Sequence, residues 1–81
     1  MRKETLIMPK LGLTMESGII TKINYKVGDR VSEGESIIDF ETDKLIKSID
    51  APFDGYVLEL MVDIEQEVDV TDPVCVFSDE Q

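Results

Sequence analysis

The chain has 81 residues, 42% of them apolar, with one cysteine, no histidine and a formal net charge of −10. A chain this short makes a single small domain, residues 1–81, whose core supplies about 3–5 kcal/mol without staples and leaves no volume for a deep active site. The composition excludes Ser–His and Cys–His dyads, His-ligated zinc and an internal disulfide.

The charge is uneven along the chain. All eight basic residues fall within the first 47 positions, where acids balance them, and the remainder carries ten acids and no base. Such a surface repels phosphate backbones and anionic lipid, so neither nucleic acid nor membrane is an expected partner. No apolar run approaches the ~18 residues of a membrane span, and Met1-Arg2-Lys3 leads into no signal-peptide core. A cytoplasmic, monomeric domain is the expectation.

In chain order, short apolar stretches fall at Leu6-Ile7-Met8, Ile19-Ile20, Ile37 to Phe40, Leu45 to Ile49, Tyr56 to Met61 and Val74 to Phe77. Gly, Pro, Asp and Asn separate them at the rhythm of a small sandwich or barrel. "VGDRVSEG" (27–34) and "IEQEVDVT" (64–71) read as loops that each contain one short strand. In "APFDG" (51–55), Pro52 ends one strand and Gly55 opens the next. No segment keeps a helical period with caps, so essentially no helix is predicted. Cys75, between Val74 and Val76, reads as a packed core thiol.

The chain is also written twice. A fixed offset carries Gly18 onto Gly55, Ile20 onto Val57, Ile23 onto Leu60, Val27 onto Ile64, Val31 onto Val68, Ile37 onto Val74 and Phe40 onto Phe77. Two copies are too few for a solenoid, so they are predicted to face each other across a pseudo-twofold axis and share one core. The same offset carries Lys44 onto Gln81. The lysine and the C-terminal end are therefore expected at opposite ends of the domain.

Between Ile37–Thr42 and Leu45–Asp50 there is room for a two-residue hairpin with Asp43 and Lys44 at its corner. No glycine follows the aspartate, which argues for a type I corner over type I′. A lysine exposed there keeps a pKa near ~10.4, so only about one amine in 2,500 is neutral at pH 7. Glu41 and Asp43 favour the charged form further, making Lys44 a poor nucleophile. It is well placed to be acylated by an enzyme that grips the hairpin. A lysine at a polar turn is otherwise an ordinary solvated feature.

Taken together, "MPKLGLTMESG" (8–18), "GDRVSEGE" (28–35), "ETDKL" (41–45) and "APFDG" (51–55) resemble the lipoyl domain of the acyltransferase component of 2-oxoacid or acetoin dehydrogenase complexes. The resemblance implies an all-β fold, a flattened sandwich of two four-stranded antiparallel sheets. It implies lipoic acid in amide linkage to Lys44, with Glu41, Thr42, Asp43 and Leu45 as the surroundings that modifying and partner enzymes read. The domain would then be non-catalytic, a swinging-arm carrier of acyl groups and reducing equivalents. Its implied partners are a lipoate ligase or lipoyl transferase, a thiamine-diphosphate-dependent decarboxylase, an acyltransferase core and a flavin-dependent dihydrolipoyl dehydrogenase.

The chain departs from that family in places. Glu65 and Thr71 stand where glycines are usual, opposite Gly28 and Gly34, so those turns must accept a Cβ or change shape. Lys47 and Ser48 replace an apolar residue and a glutamate, and Ile23 fills a slot where relatives often have tryptophan. Two alternatives remain. A biotin carrier domain would also modify a hairpin lysine, but that family flanks it with methionines where this chain has Asp43 and Leu45. An unmodified lipoyl-like adaptor would need no exposed lysine.

Overall fold

The computed structural model describes residues 1–43 and 45–81. Among the described residues there are eight strands: β1 (Lys3–Ile7), β2 (Ser17–Ile23), β3 (Arg30–Val31), β4 (Ser36–Thr42), β5 (Leu45–Asp50), β6 (Gly55–Leu60), β7 (Glu67–Asp69) and β8 (Pro73–Ser78). They form two four-stranded sheets of order β1-β8-β6-β3 and β5-β4-β2-β7, with every pairing antiparallel. No described residue is helical. The all-β, two-sheet expectation is met.

The halves are interleaved. Each sheet takes two strands from β1–β4 and two from β5–β8, and exchanging the halves converts one strand order into the other. Backbone hydrogen bonds repeat the exchange. The Gly28 N–H donates to Val57 O at 2.7 Å, and the equivalent Glu65 N–H donates to Ile20 O at 2.6 Å. Gly34 N–H reaches Ala51 O and Thr71 N–H reaches Met8 O, both at 2.9 Å. Because these bonds cross between halves, neither half satisfies its own backbone.

The core follows the same pairing. Ile20 and Val57, Val31 and Val68, Ile37 and Val74, and Phe40 and Phe77 are all buried between the sheets. Glycine is required at Gly18 and Gly55 by close approach: a Cβ at Gly18 would lie 2.9 Å from the Phe40 ring, and one at Gly55 would run into the backbone carbonyl of Ser78, with the Phe77 ring 3.0 Å away. Ile23 is half-buried against the core, so an aliphatic side chain fills its slot. Cys75 is fully buried beside Val74 and Val76, and desolvation raises its thiol pKa to about 11.

Two features lay beyond simple sequence reading. β1 begins at the polar Lys3 and ends before Met8, because its register is set by backbone pairing of Lys3 with Ser78 through Leu6 with Cys75. The equivalence of Met8 with Ala51 also needs an offset six residues longer than elsewhere. The first half therefore carries six extra residues between β1 and β2.

The turns that lack glycine keep the glycine conformation. Gly28 and Gly34 have φ of 95° and 86°, and Glu65 and Thr71 have φ of 71° and 76°. A β-branched residue at positive φ is a true outlier, and such strain costs of order 1–3 kcal/mol. Part of that would be offset by the greater freedom of glycine in the unfolded chain. Thr71→Gly is expected to stabilise by about 1 kcal/mol, raising the thermal midpoint by about 4–8 °C in a circular-dichroism melt. An unchanged or lower midpoint would contradict the strain.

Cys75 supplies a pH signature. Its folded pKa lies above its unfolded value, so its contribution is fully present below about 9 and is lost as pH rises toward about 11. Denaturant melts should show a fall in stability across that window that Cys75→Val flattens. Equal slopes for both proteins would contradict it.

Candidate functional site

The β4–β5 hairpin is held in register by what lies beneath it. Ile38 and Phe40 of β4 and Ile49 of β5 are buried, and a one-residue slip would turn them to solvent. Pairing runs outward from Ile38 with Ile49 through Phe40 with Lys47 and Glu41 with Ile46 to Thr42 with Leu45. That register leaves two residues for the corner, as the sequence predicted.

The corner differs from expectation in one respect. Asp43 has φ of 37°, which excludes a type I corner, whose first corner residue needs φ near −60°. Aspartate tolerates the left-handed region better than most side chains, and positive φ here suits the right-handed twist of the two strands. Lys44, the predicted attachment residue, lies outside the described residues.

The remaining predicted site residues come together. Thr42 is half-buried, while Glu41, Asp43 and Leu45 are exposed. Glu41 pairs with Ile46 on one side and Ile19 on the other, so it belongs to a row across the strands. Lys47 and Ser48 both lie exposed on the same edge strand, and Ser48 Oγ donates to Asp50 Oδ1 at 2.6 Å. The usual family residues are thus replaced without any buried contact being lost.

The sequence reading gave no role to the segment that borders this corner. The six extra residues form a loop fastened by its own bonds: Met15 N–H donates to Gly12 O, and Leu11 N–H donates to Met15 Sδ, each at 3.3 Å. Between loop and hairpin runs an open groove of about 270 Å³, lined by Leu11, Met15, Ser17, Thr42, Asp43 and Leu45 among others. Ser17, one of the lining residues, donates its Oγ–H to Glu67 Oε2 of β7 at 2.7 Å. The available signal was the unequal spacing of the Pro–Gly pairs, Pro9 to Gly18 against Pro52 to Gly55.

The termini lie elsewhere. Arg2 N–H donates to Asp79 Oδ1 and Asp79 N–H to Arg2 O, at 2.9 and 3.0 Å, beside the start of β1. The Arg2 guanidinium sits 4.2 Å over the Phe53 ring, and Gln81 Nε2 donates to Gly28 O. The groove loop follows the end of β1, so that strand runs from the paired termini toward the hairpin's neighbourhood.

These features define a class: a small interleaved two-sheet domain that presents one tight hairpin away from its ends, beside a shallow groove. The chain belongs to the Biotin_lipoyl family, described as "Biotin-requiring enzyme", whose model matches residues 4–77. It is 36% identical over 74 residues to the dihydrolipoyllysine-residue acetyltransferase component of the acetoin cleaving system of Bacillus subtilis, covering 91% of this chain and 19% of that protein. It is also 36% identical over 77 residues to the mitochondrial pyruvate dehydrogenase complex protein X component of Saccharomyces cerevisiae, covering 94% and 19%. The chain thus spans about a fifth of the length of these relatives.

Among solved structures, the lipoyl domain of the 2-oxoglutarate dehydrogenase complex of Azotobacter vinelandii matches with a TM-score of 0.79 at 22% identity, over 95% of this chain and 98% of that one. Urea carboxylase of Kluyveromyces lactis matches with a TM-score of 0.79 at 24% identity, over 96% of this chain and 6% of that one. At such identities the likeness establishes the shared fold.

Proposed function

We propose that the domain is a non-catalytic carrier to which lipoate is joined by an amide at Lys44, serving a 2-oxoacid or acetoin dehydrogenase system. The observation that carries this reading is the pairing of Thr42 with Leu45, which reserves the corner for Asp43 and residue 44. The surroundings fit the group. An open groove whose walls mix Leu11, Met15 and Leu45 with Thr14, Glu16 and Ser17 borders the corner, and Asp43 and Glu41 are exposed near it.

Bound lipoate would supply acyl and electron carriage through its two sulfurs. The chain's own residues supply position. Ile38, Phe40 and Ile49 lock the register of the two strands that present the corner to a modifying enzyme. Arg2 and Asp79 fasten the termini together away from the groove loop, which keeps the hairpin's surroundings clear of a tether at either terminus. A tethered carrier raises the effective concentration of its cargo at each partner without building a pocket for it. Its partners on this reading are a lipoate ligase or lipoyl transferase, a thiamine-diphosphate-dependent decarboxylase, an acyltransferase core and dihydrolipoyl dehydrogenase. The biotin reading is disfavoured by Asp43 and Leu45, which stand where a biotin carrier has methionines.

Intact-mass measurement after co-expression with a lipoate ligase tests the attachment. A single lipoyl increment is expected, absent from Lys44→Arg, whose fold should change by no more than about 0.5 kcal/mol. A biotin increment, or label on Lys22 or Lys26, would contradict it. The ten acids from Asp50 onward are read as steering the domain toward basic entrances on its partners. The rate of loading by the decarboxylase should therefore fall steeply between low and physiological salt, and a flat profile would remove the steering role.

A further inference from the structure

The groove between the Leu11–Met15 loop and the hairpin is more than fold closure requires. In the second half, Phe53 and Asp54 alone join Pro52 to Gly55, whereas the first half spends six more residues on the same connection. Those residues build one wall of the groove, and Thr42, Asp43 and Leu45 build the other. Leu11 and Leu45 are each about half exposed, at 52% and 56%, although an apolar side chain gains from burial.

We propose that this groove is a resting seat for the far end of the arm, holding the five-membered cyclic disulfide of a lipoyl group against Leu11, Met15 and Leu45. The proposal rests on lipoylation of Lys44. Asp43 and Leu45, which flank the attachment position in sequence, both line the groove. Its volume of about 270 Å³ is ample, since a cavity of roughly 150 Å³ already accepts benzene. The walls suit the ring chemically. Leu11 and Leu45 offer aliphatic surface, and the thioether of Met15 is a soft, polarizable neighbour for the ring sulfurs.

The loop is also organised for the task. Met15 Sδ accepts the Leu11 N–H at 3.3 Å, so the two apolar wall residues are fixed to each other before any group arrives. A ring seated there is partly withdrawn from water and must leave the seat to enter a partner's active site. The seat therefore shields the disulfide from small reductants in solution while leaving the hairpin itself available.

The test is methyl and amide NMR on the lipoylated domain, with an octanoyl-modified domain as the control that has the same chain length and no ring. The expected result is nuclear Overhauser contacts from ring protons to the Met15 and Leu11 methyls, with Leu11, Gly12 and Met15 amides shifted in the lipoyl form and unshifted in the octanoyl form. Leu11→Ser, at a half-exposed loop position, should abolish those contacts and speed reduction of the ring by a small phosphine roughly threefold. Shifts confined to residues 42–46 in both forms, or equal groove shifts in both, would overturn the seat while leaving attachment intact. Failure of Lys44 to accept lipoate at all would remove the attachment and the seat together, and intact mass distinguishes that outcome beforehand.

Discussion

The constraint on which the structure depends is that each half of the chain completes the other. Within a half, only β2 with β4, or β6 with β8, pair directly, and the outer strands of each sheet come from the opposite half. Two phenylalanines related by the same exchange, Phe40 and Phe77, fill the space between sheets; Gly18 stays bare because the Phe40 ring presses on it, and Gly55 because the Ser78 carbonyl and the Phe77 ring do. An 81-residue chain has little apolar surface to spend, and interleaving lets all of it contribute to a single core. The hairpin inherits its rigidity from that core, since its register cannot slip without exposing Phe40.

The halves have nonetheless diverged where function separates them. The twofold relation carries the Thr42–Leu45 hairpin of one half onto the segment after β8 in the other, where Gln81 Nε2 donates to Gly28 O. The first half has the six-residue loop; beyond Lys47 the chain carries ten acids and no base, together with the strained turns at Glu65 and Thr71. A symmetric framework thus supports one asymmetric end, where hairpin and loop meet. That asymmetry suits a carrier domain on physical grounds, because the hairpin and the paired Arg2 and Asp79 lie on different parts of the same framework.

Much of this was legible in the sequence, for physical reasons. Strands such as Ile37–Phe40 and Val74–Phe77 are apolar and bounded by Gly, Pro and Asp, and the repeat pairs them without any structure. The two-residue corner followed from the same alternation. What was not legible depended on distant neighbours. The φ of Asp43 answers to strand twist, which the absence of a following glycine does not reveal. β1 is held by backbone pairing through polar residues and so leaves little apolar trace. The groove arises only when Leu11 and Leu45, far apart in sequence, are brought together. The tension at Glu65 and Thr71 was visible as missing glycines, but only the dihedrals show that the turns kept their shape.

The central claim is that position in the hairpin, more than the reactivity of an amine, selects the residue to be modified. Exchanging the two corner residues, Asp43→Lys with Lys44→Asp, tests this most directly because composition, charge and strand pairing are all preserved. The account predicts a protein whose circular-dichroism spectrum matches the parent, whose thermal midpoint is slightly lower because lysine tolerates the positive φ of position 43 less well than aspartate, and which a lipoate ligase leaves unmodified, since a one-place shift redirects the side chain. Modification of the displaced lysine at the parental rate would show that any exposed amine on this surface suffices, and would contradict the account.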